Sequence, residues 1–261
     1  MANPATIGVI GVRGADAVTF LQGQLSQDIS KLPAQGSVLA GYHNPQGRVI
    51  AVLRLARLDD SGIAAMLPQE LVATVVARLS KFVLRAKVKI ADESQRWNVA
   101  LDWSLQGSAA QPPADGASIH APSELMRHRA AVAACEPQVY AVTSELFVSQ
   151  MLNLDVLGGI AFDKGCYTGQ EVIARAHYRG RVKRRMQRFV TTETVALKPG
   201  DECSLSDGRN VRVVDVAAGD AGGTQFLAVT TLGLAPDEPT DTFRHTVVVA
   251  TTAPMPYSLP E

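Results

Sequence analysis

The chain is short of cysteine and has no surplus of charge. Its 261 residues include three cysteines, Cys135, Cys166 and Cys203. They lie far apart, their number is odd, and no C-x-x-C occurs. That argues against a disulfide framework or a self-contained zinc site, and fits a reducing, cytoplasmic setting. Lys and Arg number 25, as do Asp and Glu, so the formal net charge is zero. A protein coated by nucleic acid is not expected from that balance, although a local basic face is compatible with it. No apolar run approaches the roughly 20 residues of a membrane-spanning helix, so no membrane partner is expected. Met1 to Gly11 lacks a basic region ahead of an apolar core and does not read as a secretory signal. No strong internal repeat is visible.

What is present suffices for a core. Apolar residues make up 46% of the chain and charged ones 19%, the balance of a globular protein. Thr6 to Val12 reads as a strand, and Gly14-Ala15-Asp16 turns into a short helix that Gly23 ends. Val38 to Tyr42 and Val49 to Leu58 read as paired strands around the turn His43 to Arg48. Asp59 to Gly62 is a hairpin turn, followed by a strand from Ile63 to Leu67. From Pro68, the spacing of Leu71, Val72, Val75, Val76, Leu79 and Phe82 predicts a helix with those residues on a core. Leu84 to Ile90 alternates apolar with basic and reads as a half-exposed strand. Trp97 to Leu101 reads as a strand, Gln106 to Ser118 as an exposed connection and Glu124 to Ala134 as a helix.

Beyond Phe189, three β-prone runs alternate with turns: Val211 to Val216, Gln225 to Thr231 and Phe243 to Thr251. The turns are Ser206 to Arg209, Gly219 to Gly223 and Ala235 to Asp241, a pattern that favours a small antiparallel barrel. The expected class is α+β: an antiparallel sheet with helices, plus a small C-terminal β-barrel. The expected divisions are an N-terminal α+β module over 1–105, a middle region over 106–185 and the barrel over 186–261.

One stretch carries more chemistry than the rest: Phe162-Asp163-Lys164-Gly165-Cys166-Tyr167-Thr168-Gly169-Gln170-Glu171. Thr168 and Glu171 stand in capping-box spacing, which predicts a helix starting near Gly169 and ending before Gly180. Cys166 would then lie two residues before the helix, beside Lys164. Both features would favour a thiolate, or hold an anion. A cysteine at a tight turn is equally consistent with a small buried residue.

Lys164 to Glu171 resembles the signature of the YgfZ family of folate-binding proteins. That family is similar to the T-protein of the glycine cleavage system and includes iron–sulfur assembly relatives. The resemblance extends through Asn153-Leu154-Asp155, Gly158-Gly159-Ile160, Arg175 and Arg179-Gly180, and reappears in Leu21 to Asp28. It implies a T-protein-like fold and a tetrahydrofolate or related folate ligand. It also implies a role in the assembly or repair of iron–sulfur enzymes, including tRNA-modifying ones. Cys166 becomes the functional thiol and a transient, shared ligand to an iron–sulfur intermediate, since one cysteine cannot hold a cluster alone. No stable metal is expected. Gln24, Asn44, Arg48, Lys164, Tyr167, Gln170, Glu171 and Arg175 become the candidate folate contacts. Iron–sulfur enzymes or assembly proteins become the partners.

The chain also departs from these relatives. T-proteins carry two aspartates after the turn corresponding to His43–Arg48, one of them important for aminomethyl transfer; here the residues are Val49-Ile50-Ala51. Ile7 and Arg127 stand where relatives carry two folate-associated tryptophans, and the middle region is abbreviated. An aminomethyltransferase is therefore the second reading. A third is a tRNA-binding module, from the seven basic residues between Arg175 and Arg188: Arg175, Arg179, Arg181, Lys183, Arg184, Arg185 and Arg188. A solvated helix end followed by a strand with alternating exposed residues accounts for the same run and is favoured for Lys183 to Arg188. Arg175, four residues after Glu171, could pair with it or reach an anionic ligand. A cysteine hydrolase using His177 lacks an orienting third group.

Overall fold

A computed structural model describes residues 6–58, 62–107, 121–180, 182–219, 222–232 and 247–260. The expected turns at Asp59–Ser61 and Ala235–Asp241, most of the Gln106–Ser118 connection, Phe243–Thr246 and Arg181 lie outside those residues.

The N-terminal half is built on β1 (Ile7–Arg13), α1 (Ala17–Gln22), β2 (Val38–His43), β3 (Val49–Arg57), β4 (Ile63–Pro68), α2 (Gln69–Ser80) and β5 (Lys89–Asp92). The strands form one antiparallel sheet in the order β2-β3-β4-β1-β5. β1 and β4 are apolar without alternation because both faces are covered. Ile10, Val12, Ile63, Ala65 and Leu67 enter the main core. The intervening Val9, Ala64 and Met66 enter a second cluster on the opposite face. That second face is closed by the hairpin β6 (Trp97–Val99) and β7 (Leu105–Gly107). Helix α2 lays Leu71, Val72, Val75 and Leu79 into the main core, with Val76 half-buried against it.

Two local expectations fail here. Phe82 lies beyond the end of α2 and is 51% exposed, because the helix stops at Ser80 before the next turn can carry it inward. The expected strand over 84–90 is displaced to β5. The Lys87 N–H donates to the Asp16 carboxylate instead of to a sheet partner, and Leu84 is exposed.

The second half contains α3 (Ala121–Ala133), α4 (Gln170–Arg179), β8 (Arg184–Val190), β9 (Glu202–Leu205), β10 (Asn210–Ala218), β11 (Thr224–Thr231), β12 (Val247–Val248) and β13 (Thr251–Ala253). The sheet order is β12-β9-β10-β11-β8-β13. Val248 pairs with Leu205 at one edge, and Thr251 pairs with Val190 at the other. Three residues span at most about 11 Å, so the sheet must curl until its edges approach. Phe189, Phe226, Val213 and Cys203 pack inside this half-barrel. α3 and the segment after it are fastened to it through buried groups: His128 Nε2 of α3 lies 2.8 Å from Asp215 Oδ1, and the hydroxyl of Tyr140, beyond the helix, donates to the same oxygen at 2.9 Å.

The stretch Asn153-Leu154-Asp155 joins the halves. Asp155 takes both guanidinium nitrogens of Arg185 at 2.9 and 2.8 Å, and Asn153 donates to the Met186 carbonyl. Arg185 is therefore buried in an ion pair and does not belong to an exposed basic face. This corrects its alternating, solvated assignment: the inward-facing position on β8 is tolerated because the carboxylate pairs both arms of the fork.

Candidate functional site

The motif is seated on the turn between β2 and β3. Asn44 organises that turn. Its Oδ1 accepts from the Arg48 N–H at 2.9 Å, and its Nδ2 donates to Glu145 at 2.7 Å. The other oxygen of Glu145 accepts from Arg78 at 2.6 Å. These hydrogen bonds, that of Asn44 first, hold the Glu145 carboxyl below its usual range. Glu145 was not singled out from sequence, because its partners lie 67 and 101 residues away.

Gly169 meets this turn backbone to backbone. It adopts φ +82°, and a Cβ there would lie 2.6 Å from the Asn44 carbonyl oxygen. Gly47, at φ +71°, faces the Val172 side chain, 3.0 Å from where a Cβ would stand. α4 accordingly begins at Gln170 with Gly169 as its N-cap, and no side chain caps it. The expected capping box between Thr168 and Glu171 does not form, since a left-handed glycine occupies the capping position. Gly180 does follow the helix end, as the sequence predicts.

The beginning of the motif is pinned by Lys164. Its ammonium donates to the carbonyls of Gln22, Leu25 and Gln27 at 2.7, 2.6 and 2.8 Å, and lies 5.1 Å from the centre of the Tyr167 ring. Burial pushes the Lys164 pKa down to about 8. The three carbonyl dipoles and the ring face act the other way, so the ammonium is the form that fits. Tyr167 is buried, and burial pushes its hydroxyl up to about 12. Behind it, His43 is sealed in the core with Nε2 2.5 Å from Ser149 Oγ, while its Nδ1 has no partner. Burial pushes His43 down to about 3, so this imidazole is neutral. A substrate cannot reach the His43–Ser149 pair, as both residues are at most 1% exposed.

Cys166 stands on the outer side of this seat and is exposed, whereas Cys135 and Cys203 are buried. Burial pushes those two thiols up to about 11. Cys166 lies three residues before the N-cap, Gly169, rather than two, and the Lys164 ammonium is directed to carbonyls instead of the sulfur. The charge expected beside the sulfur is thus engaged elsewhere. The same motif builds an aromatic face: Phe162 stacks on His177 with centroids 3.8 Å apart, and Tyr178 meets both edge-on. No local sequence signal links Phe162 to His177; they meet because α4 folds back over the turn.

The remaining candidates are dispersed. Glu171 and Arg175 are exposed, and among the described residues no ion pair joins them. Gln170 starts α4, its N–H donating to the Tyr167 carbonyl. Gln24 carries a buried Oε1 with no partner. Arg48 lines a cleft of about 220 Å³ between the two halves, and none of residues 164–175 lines that cleft. Ile7 borders a crevice of only about 20 Å³, closed by Arg54, Trp103 and Glu136. Arg127 lies over Trp103 and donates to the Val99 carbonyl. A flat bicyclic ligand does not fit there, since small-molecule sites run to roughly 300–1,000 Å³. Among the described residues, no group of three His, Cys, Asp or Glu side chains is placed to hold a metal ion, and no helix is long and apolar enough to cross a membrane.

No family model matches the chain. Among solved structures, it is similar to the crystal structure of glycine cleavage system aminomethyltransferase T from Bartonella henselae. The TM-score is 0.65 at 12% identity, over 88% of this chain and 77% of that one. The likeness establishes a glycine cleavage T-protein-like fold.

Proposed function

We propose that this chain is a folate-binding, T-protein-like factor of the YgfZ type, supporting the assembly or repair of iron–sulfur enzymes through Cys166. The observation that carries the reading is the contrast among thiols. Two are buried in cores, and Cys166 alone of the three is exposed, on a turn held by Lys164 and Gly169. A thiol so presented can bind or exchange with a partner's iron–sulfur intermediate as one ligand among several. The aromatic face of Phe162, His177 and Tyr178 offers the partner an adjoining contact.

Folate is the ligand suggested by the fold and by the motif. The crevice at Ile7 does not receive it, so the candidates are Gln24, whose buried Oε1 lacks a donor, with Gln170, Glu171 and Arg175. Asn44, Lys164 and Tyr167 are engaged inside the protein and position the motif. Aminomethyl transfer is disfavoured: Val49, Ile50 and Ala51 are buried and apolar where the transferase reading needs a carboxylate.

Equilibrium titration with tetrahydrofolate tests the ligand. Saturable binding weakened by Gln24→Leu supports it, and no binding at high micromolar ligand removes it. Turnover of an aminomethyl-loaded lipoyl carrier would instead establish the transferase.

A further inference from the structure

The segment that follows α2 is used by neither the thiol nor the folate reading. Tight hydrogen bonds curl it: the Phe82 N–H donates to the Leu79 carbonyl, that of Val83 to Ser80 and that of Leu84 to Phe82. The Lys87 N–H then ties it to the Asp16 carboxylate at 2.7 Å. The curl divides the side chains. Val83, Ala86, Val88 and Ile90 turn inward, half-buried against the main core. Phe82 and Leu84 turn outward, 51% and 87% exposed. Lys81, Arg85, Lys87 and Lys89 are exposed as well, and among the described residues no carboxylate pairs with their side chains. No Asp or Glu occurs from Lys81 to Ala91. The acids that border the segment are engaged elsewhere: Asp92 accepts from Ser94, and Glu93 from Arg13 and Trp97.

A single exposed leucine needs no explanation. Here an exposed leucine and an exposed phenylalanine stand among four cations, in a chain whose net charge is zero. Folding gains little from either feature, because apolar area left in water stabilises nothing and like charges repel. An anionic partner with an apolar interior gains from both. Nucleic acid fits poorly, since its bases stack on aromatic rings and would leave Leu84 without a receiving surface. A protein partner fits poorly too: interface centres are depleted of lysine, and Lys81, Lys87 and Lys89 are three of the four cations. A bilayer with acidic headgroups takes up both features. Its surface attracts Lys and Arg, and its acyl boundary receives Phe and Leu.

We propose that Lys81 to Lys89 forms a peripheral docking surface for anionic phospholipid membranes. Phe82 and Leu84 enter the boundary between headgroups and acyl chains, while Lys81, Arg85, Lys87 and Lys89 hold the acidic headgroups. The contact needs no membrane-spanning helix, and it is independent of Cys166 and of folate.

Flotation of the full chain with vesicles of phosphatidylcholine, alone or with about 30% phosphatidylglycerol, tests it. At about 0.1 M salt, binding to the anionic vesicles should be about tenfold or more tighter than to the neutral ones, and the difference should shrink as salt rises to about 0.5 M. Leu84→Ser should weaken binding to anionic vesicles by about fivefold or more. The combined Lys81→Gln, Arg85→Gln and Lys87→Gln variant should weaken it by about tenfold or more. All four side chains are exposed, so both variants should match the parent in circular dichroism and melting temperature. Lys198→Gln, at an exposed position in the second half, should leave binding unchanged. Absence of binding to the anionic vesicles overturns the proposal. So does equal binding to both vesicle types, or binding indifferent to Leu84→Ser or to the combined variant. Tighter binding to polyuridylate or to polyglutamate than to the vesicles, lost with the same substitutions, overturns it in favour of nucleic acid or an acidic protein.

Discussion

The Lys164 ammonium lies 2.6 Å from the carbonyl oxygen of Leu25, 139 residues earlier in the chain. With the Gln22 and Gln27 carbonyls it closes a clamp that ties the motif to the segment after α1. Lys164→Met should leave three carbonyls short of a donor and cost about 2–3 kcal/mol of stability, read by chemical denaturation. The rate at which Cys166 reacts with a disulfide reagent, taken on the folded protein, should change little. A steep fall in that rate would mean that the ammonium acts on the sulfur.

Gly169→Ala should be costly for a second reason. The residue needs φ +82°, and the added methyl would meet the Asn44 carbonyl at 2.6 Å. A loss of about 2 kcal/mol or more is expected, with α4 shifted off the β2–β3 turn. Unchanged stability would contradict the seating of the motif on that turn.

Asp155→Asn isolates the tie between the halves. Arg185 is 4% exposed and would keep its charge without a full partner. The expected cost is about 3–5 kcal/mol. A double variant, Asp155→Leu with Arg185→Met, should recover much of that loss. Failure to recover would indicate a role beyond pairing.

Acid should unfasten the far edge of the first sheet through Glu93. Arg13 donates to both its oxygens at 2.7 and 2.9 Å, and Trp97 Nε1 donates at 3.0 Å. The Arg13 hydrogen bond, with help from Trp97, holds Glu93 at about 2, against the ordinary 4.5. A depressed carboxylate stabilises the fold fully above its unfolded value, and the contribution fades as pH falls from about 4.5 through about 2. Glu93→Gln should therefore cost about 1–2 kcal/mol at pH 7 and progressively less below pH 4. Denaturation curves for both chains across that range supply the check; a pH-independent gap would rule out the charge as its source.

The sequence was most informative where one face or both faces of an element decide its pattern. β1 and β4 are unbroken apolar runs because the sheet is covered twice, and α2 announces its buried stripe through Leu71, Val72, Val75 and Leu79. It misled where a local pattern competes with a distant contact. Thr168 and Glu171 have ideal capping spacing, yet the approach of Asn44 and Gly47 leaves room only for a left-handed glycine at the cap. Lys164 reads as a charge beside a thiol, and its partners 137 to 142 residues away make it a clamp. Arg185 reads as one of a basic run until Asp155 is seen against it. The exposed Cys166 fits the functional-thiol reading of the motif, not the small buried residue that a tight turn equally allows.

Complementation by Cys166→Ser tests the central claim most directly. A strain lacking its own factor of this type would express the parent chain, Cys166→Ser or Cys203→Ser at equal protein level, with iron–sulfur enzyme activity as the readout. Cys166 is exposed, so its serine variant should fold as stably as the parent. The account predicts that Cys166→Ser folds but fails to restore activity, while Cys203→Ser restores most of it if folded. Full restoration by Cys166→Ser would contradict the account, since the exposed thiol would then have no part in the function.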